Sequence, residues 1–238
     1  MRGLSDLHYL KAFSEALRLA NRSPLDRRRT ICPAGGIDKV GTFMALFGSN
    51  KLHVAMLVDF VKGQKRKVED LRKSSLMHKS YLFTANTYAD AEEGDTEDIF
   101  GKDFYLTLVN KAYDLKDNKK LDVTKLGNSR SRAVTIVEEH FRTVAIERTD
   151  YDHYLPSSFL CENRSALFKE LPGVELAIAG FEMFVAASVI ASAARTAVVF
   201  FIPARDVCRN VRSVVFDLNT TGVFYFTISV SKLLSGRT

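Results

Sequence analysis

Apolar residues recur at steps of three and four between residues 5 and 20. Leu7, Leu10, Phe13, Leu17 and Ala20 there predict an amphipathic helix opened by Ser5 and Asp6. Residues 21–29 are polar, Arg-rich and contain Pro24, and so predict a loop. Thr30–Cys32 reads as a short strand and Pro33–Gly36 as a turn. Ile37, Val40, Phe43, Met44 and Phe47 return to helical spacing and predict a second helix over 37–47, stopped by Gly48. Leu52–Phe60 (LHVAMLVDF) is a nearly unbroken apolar run ending in an acid, the pattern of a strand buried in a parallel sheet. Lys65–Arg72 predicts a charged helix and Ser80–Thr84 another strand. Helices alternating with strands predict an α/β fold with a mainly parallel sheet flanked by helices.

Beyond Ala89 the pattern changes. An acidic stretch, ADAEEGDTEDIFG, leads into segments with helical apolar spacing at 100–113, 130–141, 157–168 and 174–190, with a polar linker over 116–132. Residues 181–203 are mostly apolar and about long enough to span a bilayer. Glu182 and Arg195 interrupt that run, and a central Arg costs at least about 2.5 kcal/mol on insertion, so no membrane partner is expected. Residues 211–230 are β-rich and aromatic, with few charges. The expected organisation is an α/β domain over 1–115, a helical C-terminal extension over 116–188, and a divergent tail over 189–238.

Composition narrows the classes without choosing among them. The chain has 238 residues, 46% hydrophobic and 26% charged, which is ordinary for a globular protein and excludes a disordered or fibrous one. At this length about 70% of the unfolded surface can be buried. Three cysteines (Cys32, Cys161, Cys208) without a CxxC pair exclude a disulfide scaffold and a zinc ribbon, and they suggest a reducing, cytoplasmic setting. No signal-peptide pattern opens the chain. The net charge of +6 is unevenly spread, for from residue 186 onward six basic residues oppose Asp206 and Asp217, a net +4. The body is thus close to neutral.

The acids carry the candidate chemistry. In open parallel sheets ligands sit at the carboxyl ends of strands, and Asp59 lies where the apolar run ends. The plainer reading is a carboxylate that caps the next helix or pairs with Lys62 or Lys65. For Asp6, at the predicted start of the first helix, the commoner explanation is an acid that complements the helix dipole. Asp95, Glu97 and Asp98 follow the strand at 80–84, and acids before a helix are usually dipole partners. Together, the acids on these three loops could hold one or two Mg²⁺ or Mn²⁺ ions, which take hard oxygen ligands. Two such ions about 4 Å apart can activate water and stabilise the leaving oxygen of a phosphodiester. Lys62, Lys65, Arg66 and Lys67 could bind DNA phosphates, against the plainer reading of a solvated helix face. The five histidines show no HxxxH or HxH spacing, Cys32 reads as core packing, and no GxxxxGK[ST] is present, so this chain has no ATP site of that type.

Several motifs in order, SDLHYLKAFSEAL, ICPAGGIDKV, LHVAMLVDFVKGQKRKVEDL, GDTEDIFG and YDHYLPSSFLCENRSALFKELPGVE, resemble the Toprim domain of OLD-family (overcoming lysogenization defect) nucleases. Members of that family are predicted ATP-dependent endonucleases with an ATPase domain ahead of the Toprim domain. The resemblance covers roughly residues 3–188. It implies a Toprim-like Rossmannoid sheet, a metal-dependent DNA endonuclease, metal ligands at Asp6, Asp59, Asp95, Glu97 and Asp98, and catalytic roles for Asp59 and Glu97. DNA, a separate ATPase domain or subunit, and a homodimeric copy are the corresponding partners.

The chain also departs from the family pattern. The family's first strand ends in Glu-Gly before a Ser-Asp pair; Gly3, Ser5 and Asp6 match, but the Glu position is Arg2 and the strand before it is missing. The acid found two residues after the second motif in many Toprim proteins is Val61. A cationic Arg2 can act neither as metal ligand nor as general acid or base. The expectation is therefore a piece of a longer gene cut at both ends, with a gap left at the centre of its sheet and weak or no activity. The alternative is a non-catalytic nucleic-acid binder or an inert remnant.

Overall fold

Strands built of β-branched and apolar residues assemble one parallel sheet. The computed structural model describes residues 2–27, 29–33, 35–49, 53–74, 82–127, 129–144, 151–191, 197–202, 214–218 and 224–228. Strands β1 (Thr30–Pro33), β2 (His53–Val58), β3 (Leu82–Thr84) and β4 (Ala197–Ile202) form a four-stranded sheet in the order β1-β4-β2-β3. Every neighbouring pair is parallel, with Val199 opposite Ile31 on one side and opposite Ala55 on the other. Val54 to Val58 are all buried, as an unbroken apolar strand in a parallel sheet requires. The protein is mixed α/β with a small parallel sheet.

Helices supply most of the remaining core. They are α1 (Arg2–Leu19), α2 (Val40–Ser49), α3 (Lys65–Lys73), α4 (Ala85–Tyr88), α5 (Lys102–Ala112), α6 (Val123–Leu126), α7 (Ala133–Thr143), α8 (Tyr154–Glu170) and α9 (Val174–Ala191). A 3₁₀ turn over Thr96–Phe100 precedes α5. On α1, Tyr9, Leu10, Phe13 and Leu17 have no exposed surface, and Asp6, one turn earlier on the same face, points inward with them. Phe13 stacks on Phe100 at 4.1 Å and meets Phe104, Phe168 and Phe181 within 5.6 Å, so four segments close on one ring. Truncating such a buried ring costs about 3–5 kcal/mol. The loop after α1 is fastened to α9 by Arg22 on Glu182 and by Arg29 on Ser188.

Several expectations change. The first helix begins at Arg2 and not at Ser5, so Asp6 lies inside it, beyond the reach of the dipole at its first turn. α2 continues through Gly48 to Ser49, because a lone Gly costs a helix only about 1 kcal/mol. Among the described residues, the apolar run 181–203 divides between α9, where Phe181, Phe184 and Val185 are buried, and β4. Its hydrophobicity belongs to a core helix and an interior strand. Among the described residues no single helix is long and apolar enough to cross a membrane. The sheet's central position is also filled, since β4, from the segment expected to be a divergent tail, pairs with both β1 and β2.

Residues Met1–Asp206 form one compact unit and Val207–Thr238 a second. In the second, β5 (Val214–Leu218) and β6 (Phe224–Ile228) pair antiparallel with Phe216 opposite Phe226, an aromatic cross-strand pair of the kind that stabilises two-stranded ribbons.

Candidate functional site

The carboxyl end of β2 is where the acids meet. Asp59 is the first residue past the strand and is 7% exposed. The next residue, Phe60, exchanges two backbone hydrogen bonds with Gly94, its N–H donating to the Gly94 carbonyl at 2.8 Å and the Gly94 N–H donating back at 2.9 Å. This bridge ties the exit of β2 to the segment that follows β3 and α4, and it delivers Gly-Asp-Thr-Glu-Asp (94–98) beside Asp59.

Each residue of that segment has a distinct task. Gly94 runs so close to α4 that a Cβ would lie 2.9 Å from the Asn86 Cα. The Thr96 N–H donates to Asp59 Oδ1 at 3.0 Å and its hydroxyl donates to the same oxygen at 3.4 Å. Asp98 closes the turn by accepting from the Asp95 N–H at 2.9 Å, and its other oxygen accepts from the Ala133 N–H at 2.8 Å, the first residue of α7. Burial pushes the Asp98 carboxyl up to about 6 against the pull of those two amides. Asp95 accepts from Arg132 Nη1 through both oxygens, at 2.6 and 2.7 Å.

Glu97 lies at the centre. Its carboxyl is held well above the usual carboxylate range, first by burial and then by the negative fields of Asp6, Asp95 and Asp59. The sequence-derived acids from α1, the β2 exit and the 3₁₀ turn therefore share one buried neighbourhood, with Asp6, Asp59, Asp95 and Glu97 all 7% exposed or less. Burial opposes the charge of Arg132, and the fields of Asp95, Asp59 and Glu93 outweigh it. Arg132 falls in the stretch 116–132 that reads as a polar linker. No spacing in the sequence marks it, since its partner lies 37 residues away.

The donor chemistry suits a hard divalent cation, for it consists of buried carboxylate oxygens whose mutual repulsion an ion would relieve. Asp6, Asp59 and Glu97 offer oxygens of the type that Mg²⁺ or Mn²⁺ takes, but the three are not arranged as a ligand group. Asp95 and Asp98 point to other work, being turned toward Arg132 and toward two backbone amides. Among the described residues no group of three or more His, Cys, Asp and Glu side chains is arranged to hold a metal ion. The side chain of Arg2 lies outside the described residues.

The basic residues after Asp59 are exposed on and just before α3. Lys62 pairs with Glu92 at 2.8 Å, Lys67 with Asp38 at 2.7 Å, and Arg66 faces Asp70 at 4.0 Å. Lys65 is exposed on the same helix. Surface pairs of this kind contribute about 0–1 kcal/mol. Burial also pushes the Cys32 thiol up to about 11, consistent with core packing rather than reactivity. No family model matches this chain, and no curated protein or solved structure shows significant similarity to it.

Proposed function

We propose that the chain carries a Toprim-type, metal-dependent endonuclease domain of the OLD-family kind, which hydrolyses phosphodiester bonds in DNA. The observation supporting this reading most strongly is the buried convergence of Asp6, Asp59 and Glu97, from three separate segments, at the carboxyl end of a parallel strand. A divalent ion bound there would supply Lewis-acid stabilisation of charge on the phosphodiester and lower the pKa of an attacking water. Asp59 is held in one orientation by Thr96, as a metal ligand must be. Glu97, whose carboxyl is held well above the usual carboxylate range by burial and its acidic neighbours, would have to give up its proton to ligate an ion there. Lys62, Lys65, Arg66 and Lys67 would hold the DNA backbone beside this acid cluster. Nicking of supercoiled plasmid in Mg²⁺ or Mn²⁺, abolished by EDTA and reduced in Asp59→Ala, is the expected result. Nicking that is unchanged in Asp59→Ala contradicts the site.

A second reading has its own support in the Arg132–Asp95 pair, which already neutralises one of the acids. In this reading the domain binds nucleic acid without cutting it, or is an inert remnant. DNA binding that weakens steeply with salt, with no cleavage in any divalent metal, favours it.

A further inference from the structure

Among the described residues three large apolar side chains are exposed, and all three neighbour one charge network in the chain. They are Leu19, 70% exposed, at the end of α1, and Leu176 and Met183, 75% and 56% exposed, on α9. Arg22, three residues after Leu19, donates from Nε to Glu182 at 3.0 Å and approaches Glu175 at 3.9 Å. Those two acids directly precede Met183 and Leu176. Hydrophobics exposed singly need no explanation, but a patch with a charged rim has the anatomy of an interface. α9 is apolar on both sides. Its inner side buries Phe181, Phe184 and Val185, and its outer side carries Leu176, half-buried Ala179, Met183 and exposed Ala186. A helix that is apolar all round is one that is covered all round, and outward steps of three, four and three are those of a seam between two helices.

We propose that this outer side of α9 is the surface through which two copies of the chain associate, helix against helix and antiparallel about a two-fold axis. The face complements itself in size, because its large residues alternate with small ones. In the antiparallel register Leu176 of one copy falls opposite Ala186 of the other, and Met183 opposite Ala179. It complements itself in charge as well. The axis passes near Glu182, so the partly exposed Arg22–Glu182 pair of one copy meets the same pair of the other in the reverse sense, and each guanidinium gains a second carboxylate. A helix of a different protein would have to supply both the alternation and the ion pair, whereas a second copy has them by symmetry. One helix face per copy makes a small interface, under about 1,200 Å² of total buried surface, and a dimer that forms in the micromolar range. This association is independent of the nuclease reading.

Sedimentation equilibrium of the full-length chain between about 1 and about 300 µM is the test. The parent is expected to pass from monomer to dimer over that range. Leu176→Glu and Met183→Glu should each weaken the dimer at least about tenfold, since either one buries an unpaired carboxylate in the seam. Both positions are exposed in the single chain, so the melting temperatures of the two variants in dilute solution should stay those of the parent. Disulfide formation reads the register: an oxidised equimolar mixture of Leu176→Cys and Ala186→Cys chains should give mixed dimers well above the parent's background, and neither variant alone should. A parent that stays monomeric throughout, a dimer that neither Glu substitution weakens, or assembly beyond the dimer overturns the proposal. So does cross-linking of Leu176→Cys chains to one another. Should a Glu variant fail to fold, the cysteine pair decides alone, and absence of mixed dimers then overturns the proposal.

Discussion

A Cβ added at Gly94 would lie 2.9 Å from the Cα and 3.0 Å from the N of Asn86, with backbone and not a flexible side chain in the way. Relief requires the 94–98 segment to move off α4, carrying with it the Phe60 bridge and the Thr96 amide that holds Asp59. Gly94→Ala should therefore lower stability by about 1–3 kcal/mol, as overpacking does elsewhere; urea unfolding measures this, and an unchanged midpoint means the segment can retreat freely. Asp98 makes a second prediction. Its carboxyl titrates near 4 in an unfolded chain and at about 6 when folded, so folding favours the protonated form. Its contribution to stability is complete below about pH 4 and is lost as the pH rises through about 6. The unfolding free energy of the parent should accordingly fall relative to Asp98→Asn between those values. A difference that does not vary with pH contradicts the burial argument.

At the scale of elements, β4 decides whether there is a sheet. It is the interior strand, paired on both sides, and its ladders join β1 to the β2–β3 pair. Val199→Pro removes an N–H from the middle of that strand and should cost about 3 kcal/mol or more. Loss of the cooperative unfolding transition, followed by circular dichroism, would show it; a parent-like transition would mean that β1 and β2 do not depend on β4. The sheet was only partly legible in the sequence. LHVAMLVDF announces β2 because its apolar run is bounded and ends in an acid. β4 is hidden because its apolar residues follow those of α9, and periodicity does not separate a buried helix from a buried strand. Asp59, Glu97 and Asp6 were legible as candidates, whereas the structural duties of Asp95 and Asp98 depend on α7 and Arg132, which only folding brings near.

For the whole molecule, the charge of +6 says less than its placement. The acids are buried together, while Lys62, Lys65, Arg66 and Lys67 lie on the surface, three of them in weak ion pairs. Under the proposed function the surface cations would meet the polyanion and the buried acids the metal ion. The central claim concerns Asp59, and Asp59→Asn tests it cleanly, because the amide oxygen can still accept from Thr96 while the charge is lost. The direct measurement is the single-turnover rate of plasmid nicking in Mn²⁺ for the parent and for Asp59→Asn. The expected result is metal-dependent nicking that drops by on the order of a hundredfold in the variant, as when one group stabilising a transition state is removed. Equal rates in the two proteins, or no nicking by the folded parent in any divalent metal, would contradict it.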